Sequence, residues 1–267
     1  FDKFYNHLNH ITDIKEKCRI IIEECIYYAD ISPLNVWITT ILLKCHAKMY
    51  IRLEYEKKYT EEEKLEDMIN QEYTFNSYIG NTLELDIHTH TTWNINNFDA
   101  VIYNPPYNLK NKNGKTKQGS SKLYTQFMKK GIELTREDGY ILCISPYGWL
   151  TGTMSIYNYV IKYHIKLINV DDIQGKYFPD IGDKLCYYLI QKSENIKNKP
   201  TKMICDNNQI INKVFSKKKK QSRAILPVIV NKENIELLDK VLFSKSNGFI
   251  YVKELKKPSV EHKDDQH

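Results

Sequence analysis

The 267-residue chain is short of glycine: it has ten, the first at Gly80, and no Gly-x-Gly anywhere, so no glycine-rich loop can be placed on it. Its six cysteines (Cys18, Cys25, Cys45, Cys143, Cys186 and Cys205) include no Cys-x-x-Cys pair. Several sit in apolar runs, where a free thiol behaves as a small hydrophobe, and a reducing, cytoplasmic compartment is expected. No apolar run reaches the roughly 18 residues that span a bilayer, and no charged-then-apolar secretory segment opens the chain. His88 and His90 have the spacing of metal ligands but no nearby cysteine or clustered carboxylate, so they read as surface residues and no metal is expected.

What is present suits a folded protein. A content of 42% hydrophobic and 27% charged residues excludes wholesale disorder, and the length suits one main domain with a small appendage. The formal charge of +6 is mild, but lysines gather at Lys110, Lys112, Lys115, Lys117 and Lys122, and again at Lys217 to Lys220 with Arg223. Such clusters either solvate a surface or neutralise phosphates.

Apolar runs alternate with helical spacing along the chain. "CIYYADI" (Cys25 to Ile31) reads as a strand ending in Asp30, followed by a helix with Pro33 in its first turn. Lys57 to Gln71, dense in glutamate and lysine, reads as a peripheral helix or insertion. "YTFNSYIGNTL" (Tyr73 to Leu83) is a strand ending at Gly80-Asn81, and "FDAVIYNPP" is a buried strand. A helix over Leu123 to Leu134 precedes "GYILCISP" (Gly139 to Pro146), and "IKLINVDDI" and "KLCYYLIQK" give two more strands. The alternation predicts an α/β domain over residues 1–195 with helices on both faces of a mostly parallel sheet. Residues 196–267 read as a linker and the start of an accessory or target-recognition region, with a helix near Asn234 to Phe243 and a strand at "FIYVKEL". Trp37, Trp93 and Trp149 read as core or helix-packing aromatics.

In open parallel sheets ligands bind beyond the carboxyl ends of strands. Three tips qualify: Asp30, Asn81 and Asn104-Pro105-Pro106-Tyr107. Two successive prolines fix φ and remove two backbone donors, leaving stiff, uncontested carbonyl acceptors. An amide side chain and a bare carbonyl can together accept both hydrogens of an amino group, and Tyr107 supplies a face on which a planar base stacks.

On these residues the chain resembles the N6-adenine DNA methyltransferases that carry Asn-Pro-Pro-Tyr, most closely the restriction-modification branch. "CIYYADISPLNVWITTILL", "YIGNTL", "LYTQFMKKGIELTREDGYILCISPYGWL" and "KYFPDIGDKLCYYLIQK" extend the resemblance from about Cys18 to Lys192. It implies a Rossmann-like fold and S-adenosylmethionine as cofactor, with Asp30 on the ribose hydroxyls, Asn81 at the cofactor adenine, and Ile31 and Thr82 beside them. It also implies a flipped adenine of DNA stacked between Tyr107 and Phe178, its amine held by Asn104 and Pro105. The loop from Asn108 to Lys122 would border the nucleic acid. Asp30 as a simple helix cap is the competing reading of that residue.

One expected part is absent: the family's first strand and glycine-rich cofactor loop have no counterpart here. A preceding segment, another chain, or genuine loss would each account for it, and weak cofactor binding by this stretch alone is expected. The shared tetrapeptide also leaves open an RNA base or a protein glutamine amide as substrate, or an inactive nucleic-acid-binding subunit.

Overall fold

The computed structural model describes residues 1–57, 70–107, 123–151, 155–171, 173–179, 181, 183–194, 199–205, 208–215 and 233. Two compact units, Phe1–Phe98 and Asp99–His267, divide the chain.

In the first unit α1 (Asp2–His7) precedes α2 (Ile14–Ile20), which runs on as a π-turn over Ile21–Cys25. Asp13 fixes the start of α2 by accepting from the amides of Lys15 and Glu16 at 2.9 and 3.3 Å, two donors that the helix cannot satisfy itself. Strand β1 (Tyr27–Asp30) leads into the long helix α3 (Pro33–Glu56). Pro33 sits in its first turn, where the missing N–H costs nothing, and Ser32 is the N-cap. Strand β2 (Asn76–Ile79) pairs with β1 in parallel, Tyr27 opposite Asn76 through Asp30 opposite Ile79.

The core of this unit is helical: Tyr5, Cys18, Ile21 and Ile22 pack with Ala47 and Ile51 of α3. Only part of α3 turns inward, at Val36, Ala47, Ile51 and Tyr55, while Leu34, Trp37, Leu42, Met49 and Leu53 are exposed. Trp93 and Trp149 are buried, as expected of packing aromatics. Trp37 is not: it is 60% exposed, because α3 carries apolar residues on two faces and buries one.

The second unit is built on a six-stranded sheet ordered β3-β4-β6-β5-β7-β8. Its strands are β3 (Phe98–Tyr103), β4 (Thr135–Pro146), β5 (Tyr163–Asn169), β6 (Leu185–Glu194), β7 (Thr201–Cys205) and β8 (Gln209–Lys213). Strand β6 lies antiparallel between β4 and β5, β7 is parallel to β5, and β8 is antiparallel to β7. Helices α4 (Leu123–Leu134), α5 (Ser155–Val160) and α6 (Ile173–Tyr177) occupy the connections. The core gathers Tyr124, Met128 and Ile132 of α4, Ile141 and Cys143 of β4, Trp149, Ile156 and Tyr157, and Tyr188 and Ile190 of β6.

Two expectations change here. Residues beyond Ser193 were expected to form a linker, yet β7 and β8 extend the same sheet, so the boundary expected after residue 195 falls between two of its strands. Thr201, Met203 and Cys205 are buried alternately with Lys202 and Ile204, a period of two over five residues. The run "FDAVIY" was expected to be buried, but β3 is the last strand on its side of this sheet, and Ala100 and Ile102 are exposed, Ile102 to 74%. The segments 58–69 and 108–122, the second expected to be a loop, and nearly all of 216–267, with the helix and strand expected there, lie outside the described residues.

Candidate functional site

In the first unit the parallel pairing of β1 and β2 brings two candidate residues to adjacent strand ends. The amide of Gly80 donates to the carbonyl of Asp30 at 3.0 Å, which continues the ladder one step past β2 and sets Asn81 beside the tip of β1. Glycine leaves room there for the Tyr78 ring: a Cβ on Gly80 would lie 2.6 Å from the hydroxyl of Tyr78 and would displace that side chain.

The Asp30 carboxylate accepts from the amide of Ser32 at 2.7 Å and from Asn35 Nδ2 at 3.2 Å. It therefore braces the entry to α3 without being its N-cap, and the helix reading and the ligand reading of Asp30 are compatible. An ionised carboxylate has about four acceptor directions, so roughly two remain for a vicinal diol such as a ribose. Asn81 is more committed, since its Oδ1 accepts from the amide of Leu83 at 3.2 Å and its Nδ2 donates to Glu84 Oε1 at 2.7 Å. A purine edge meeting Asn81 would use the remaining lone pair of Oδ1 or displace Glu84. Thr82 is half-buried and its carbonyl accepts from the amide of Leu85 at 3.3 Å, while Ile31 is 73% exposed. The donor set at these tips thus fits the ribose of a nucleoside cofactor at Asp30 and leaves the base contact at Asn81 conditional. His90 uses Nδ1 to accept from the amide of Asp86 and stacks on Tyr78, and the described residues hold no cluster of three His, Cys, Asp or Glu able to hold a metal ion.

In the second unit β3 ends in the tetrapeptide. The period-two register of the strand continues through it: Tyr103 packs against the large core, Asn104 is exposed, Pro105 is buried and Pro106 is exposed. The Asn104 carboxamide consequently faces outward from a tip held on both sides. Tyr107 is half-buried with its ring against the same core, and its hydroxyl donates to Asn104 Oδ1 at 3.0 Å. Burial pushes the pKa of this phenol above its ordinary range, so it remains a neutral donor at physiological pH. The oxygen best suited to receive an amine hydrogen is therefore already engaged within the motif.

Phe178 follows α6, is half-buried, and accepts from the amide of Ile181 at 3.1 Å through its carbonyl. Lys110, Lys112, Lys115, Lys117 and Lys122 lie outside the described residues. Tyr103 escaped the sequence reading, although its place in the inward register, two residues before the buried Pro105, was a signal that could have found it.

A profile of the Eco57I restriction-modification methylase family matches residues 24–178, and the chain belongs to that family. An uncharacterized adenine-specific methylase of Mycoplasma pneumoniae is 28% identical over 162 residues, which is 58% of this chain and 35% of the relative. The chain thus spans about a third of that relative's length. Among solved structures, the ATP-dependent type ISP restriction-modification enzyme LlaBIII bound to DNA matches 78% of this chain and 16% of its own, with a TM-score of 0.51 at 12% identity, a likeness of fold. The M protein of the type I restriction enzyme EcoKI covers 89% of this chain and 43% of its own at 16% identity and a TM-score of 0.45. No described helix is long and apolar enough to cross a membrane.

Proposed function

We propose that this chain carries the catalytic region of an S-adenosylmethionine-dependent methyltransferase that modifies the N6 amine of adenine in DNA, as part of a restriction-modification system. The observation that carries the reading is the outward-facing Asn104 carboxamide followed by two prolines, inside the segment matched to the Eco57I family.

The chain's own residues account for the activation of the amine. Asn104 Oδ1 and the Pro105 carbonyl both accept hydrogen bonds, and neither proline has an N–H to compete for them. An exocyclic amine that donates both hydrogens to these oxygens has its lone pair turned away from conjugation with the ring, which makes the nitrogen a nucleophile. The amine bonds grow stronger as positive charge develops on that nitrogen, so the same acceptors favour the transition state over the ground state. S-adenosylmethionine, when bound, would supply a methyl group on a sulfonium that departs as a neutral thioether, and the methylated nitrogen then gives up one proton to water. Asp30 would hold its ribose and Asn81 its base. Tyr107 and Phe178 would hold the flipped adenine by its faces, and the lysines of the 108–122 loop would contact phosphates.

The test is the full gene product incubated with S-adenosylmethionine and, separately, duplex DNA, structured RNA and a glutamine-bearing protein, with methylated products identified by mass spectrometry. N6-methyladenine in DNA that disappears in Asn104→Ala is expected. Product only in RNA or on glutamine would transfer the chemistry to another substrate. DNA binding without any methyl transfer would make the chain a scaffold.

A further inference from the structure

Strand β3 buries little of its middle: Phe98 packs on the Tyr27 and Trp93 rings and Asp99 pairs with Arg136, but its side chains are otherwise largely exposed. It lies at the sheet edge, Asp99, Ala100 and Ile102 are exposed, and Phe98 and Val101 are only half-buried. Its last residue is an exception. The Tyr103 ring packs against the core, and its hydroxyl has the Cys143 thiol and the Tyr188 hydroxyl as polar neighbours from β4 and β6, two residues with no exposed surface. From the other side the ring lies on the backbone of α4 at Gly131. A Cβ on Gly131 would stand 2.6 Å from Tyr103 Cε1, 2.8 Å from its hydroxyl and 2.9 Å from Cζ. Glycine in the middle of a helix lowers helix propensity, so a helical glycine pressed against one ring points to a demand from that ring.

We propose that Tyr103 is a positioning residue for Asn104, and that Gly131 is the seat in α4 that sets the depth of its ring and so the direction of the neighbouring carboxamide. The inference rests on the reading of Asn104 as the amine acceptor. Consecutive Cα atoms are about 3.8 Å apart, so whatever part of the ring's displacement is not taken up by rotation about the Tyr103 side-chain bonds reaches Asn104. The following Pro105 and Pro106 have fixed φ and cannot compensate by rotation. A methyl at Gly131 must push the ring back by about 0.8 Å to reach ordinary contact at 3.4 Å. Displacements near 1 Å in a catalytic group cost on the order of a hundredfold in rate.

The perturbation is Gly131→Ala in the full gene product. Alanine favours the helix, so a loss of rate cannot be assigned to a weakened α4. The expected result is a fall in kcat of ten- to a hundredfold, on the order given by such displacements, with the KM for S-adenosylmethionine within twofold of wild type and a thermal midpoint lowered by overpacking but still above the assay temperature. Tyr103→Ala is expected to lose kcat similarly, and Tyr103→Phe, which keeps the ring on its seat, to restore most of the rate. A second readout does not depend on activity: in 15N-asparagine-labelled protein the side-chain amide signal of Asn104 shifts in Gly131→Ala while that of Asn35 stays in place. If wild-type protein methylates nothing, the functional reading fails and the amide shift alone decides the positioning. An unmoved Asn104 signal, or a Gly131→Ala enzyme with wild-type kcat, overturns the proposal.

Discussion

Tyr107→Phe removes one oxygen atom, and the structure assigns that atom a specific occupation: it donates to Asn104 Oδ1 at 3.0 Å. In the free protein this bond takes one of the two acceptor positions of Oδ1, and it must break before an adenine amine can use that position. A neutral hydrogen bond contributes about 0.5–1.5 kcal/mol net, so its removal lowers the cost of reaching the transition state from free enzyme and DNA by that amount. With 1.4 kcal/mol per factor of ten, kcat/KM for DNA is expected to rise about two- to tenfold. In the enzyme–substrate complex the bond is already broken in both proteins, so kcat is expected to stay within about twofold of wild type, as for any change confined to the free-enzyme side. The ring remains for stacking, and it remains packed on the core. The assay is steady-state methylation of a duplex bearing the natural site, read from methylated host DNA, with binding followed in parallel by 2-aminopurine fluorescence at the target position. A fall in kcat/KM, or weaker binding with unchanged kcat, would mean that the hydroxyl serves the bound complex, and the capped-acceptor argument would be wrong.

Other expectations follow from burial and charge. Ile51 is fully buried between α2 and α3, and Ile51→Ala is expected to cost about 2–5 kcal/mol in urea unfolding, whereas a cost below about 1 kcal/mol would show that this contact does not hold the first unit together. Asp30→Asn keeps an acceptor for the Ser32 amide but loses the charge, and should weaken S-adenosylmethionine binding about ten- to a hundredfold by calorimetry, since hydrogen bonds to charged groups contribute about 1.5–3 kcal/mol. An affinity within twofold of wild type would remove Asp30 from the cofactor site. Burial pushes the Cys18 and Cys186 thiols from 9.0 up to about 12, so the folded chain keeps protons that the unfolded chain releases. The stability tied to each thiol is whole below about pH 9 and declines as pH rises toward 12, by about 1.4 kcal/mol per pH unit per thiol; Cys18→Val should flatten the decline in an alkaline unfolding series.

The strands that were legible in sequence had strong contrast at their ends. β1 stops at Asp30 before a proline-started helix, β2 at Gly80, and β3 at two prolines, and each punctuation mark has a mechanical reason to fall where a strand ends. β7 and β8 lacked that contrast. They are five residues each, set among lysine and asparagine, and their alternation is too brief to outweigh a polar surrounding. Burial of β3 was misjudged for a different reason: an apolar run records what a strand can bury, and its place in the order of the sheet decides what it does bury. The same limit applies to Trp37, where an amphipathic reading of α3 supplies no choice between two apolar faces. The candidate acceptor Asn104 was named from its tetrapeptide. That Tyr107 would cover it depends on a side-chain conformation within the tetrapeptide, and that a glycine 27 positions later would bear on the tyrosine before it depends on a contact between elements distant in sequence, which no local spacing encodes.

The in-and-out register across residues 103 to 106 separates two duties along four consecutive positions. The inward pair anchors the chain and the outward pair adds little to that anchoring, so an alanine at position 104 deletes the proposed acceptor amide and its bond from Tyr107 while the packing of Tyr103 and Pro105 stays. Under the proposed function, Asn104→Ala would separate binding from methyl transfer: the variant would still engage DNA while leaving it unmethylated.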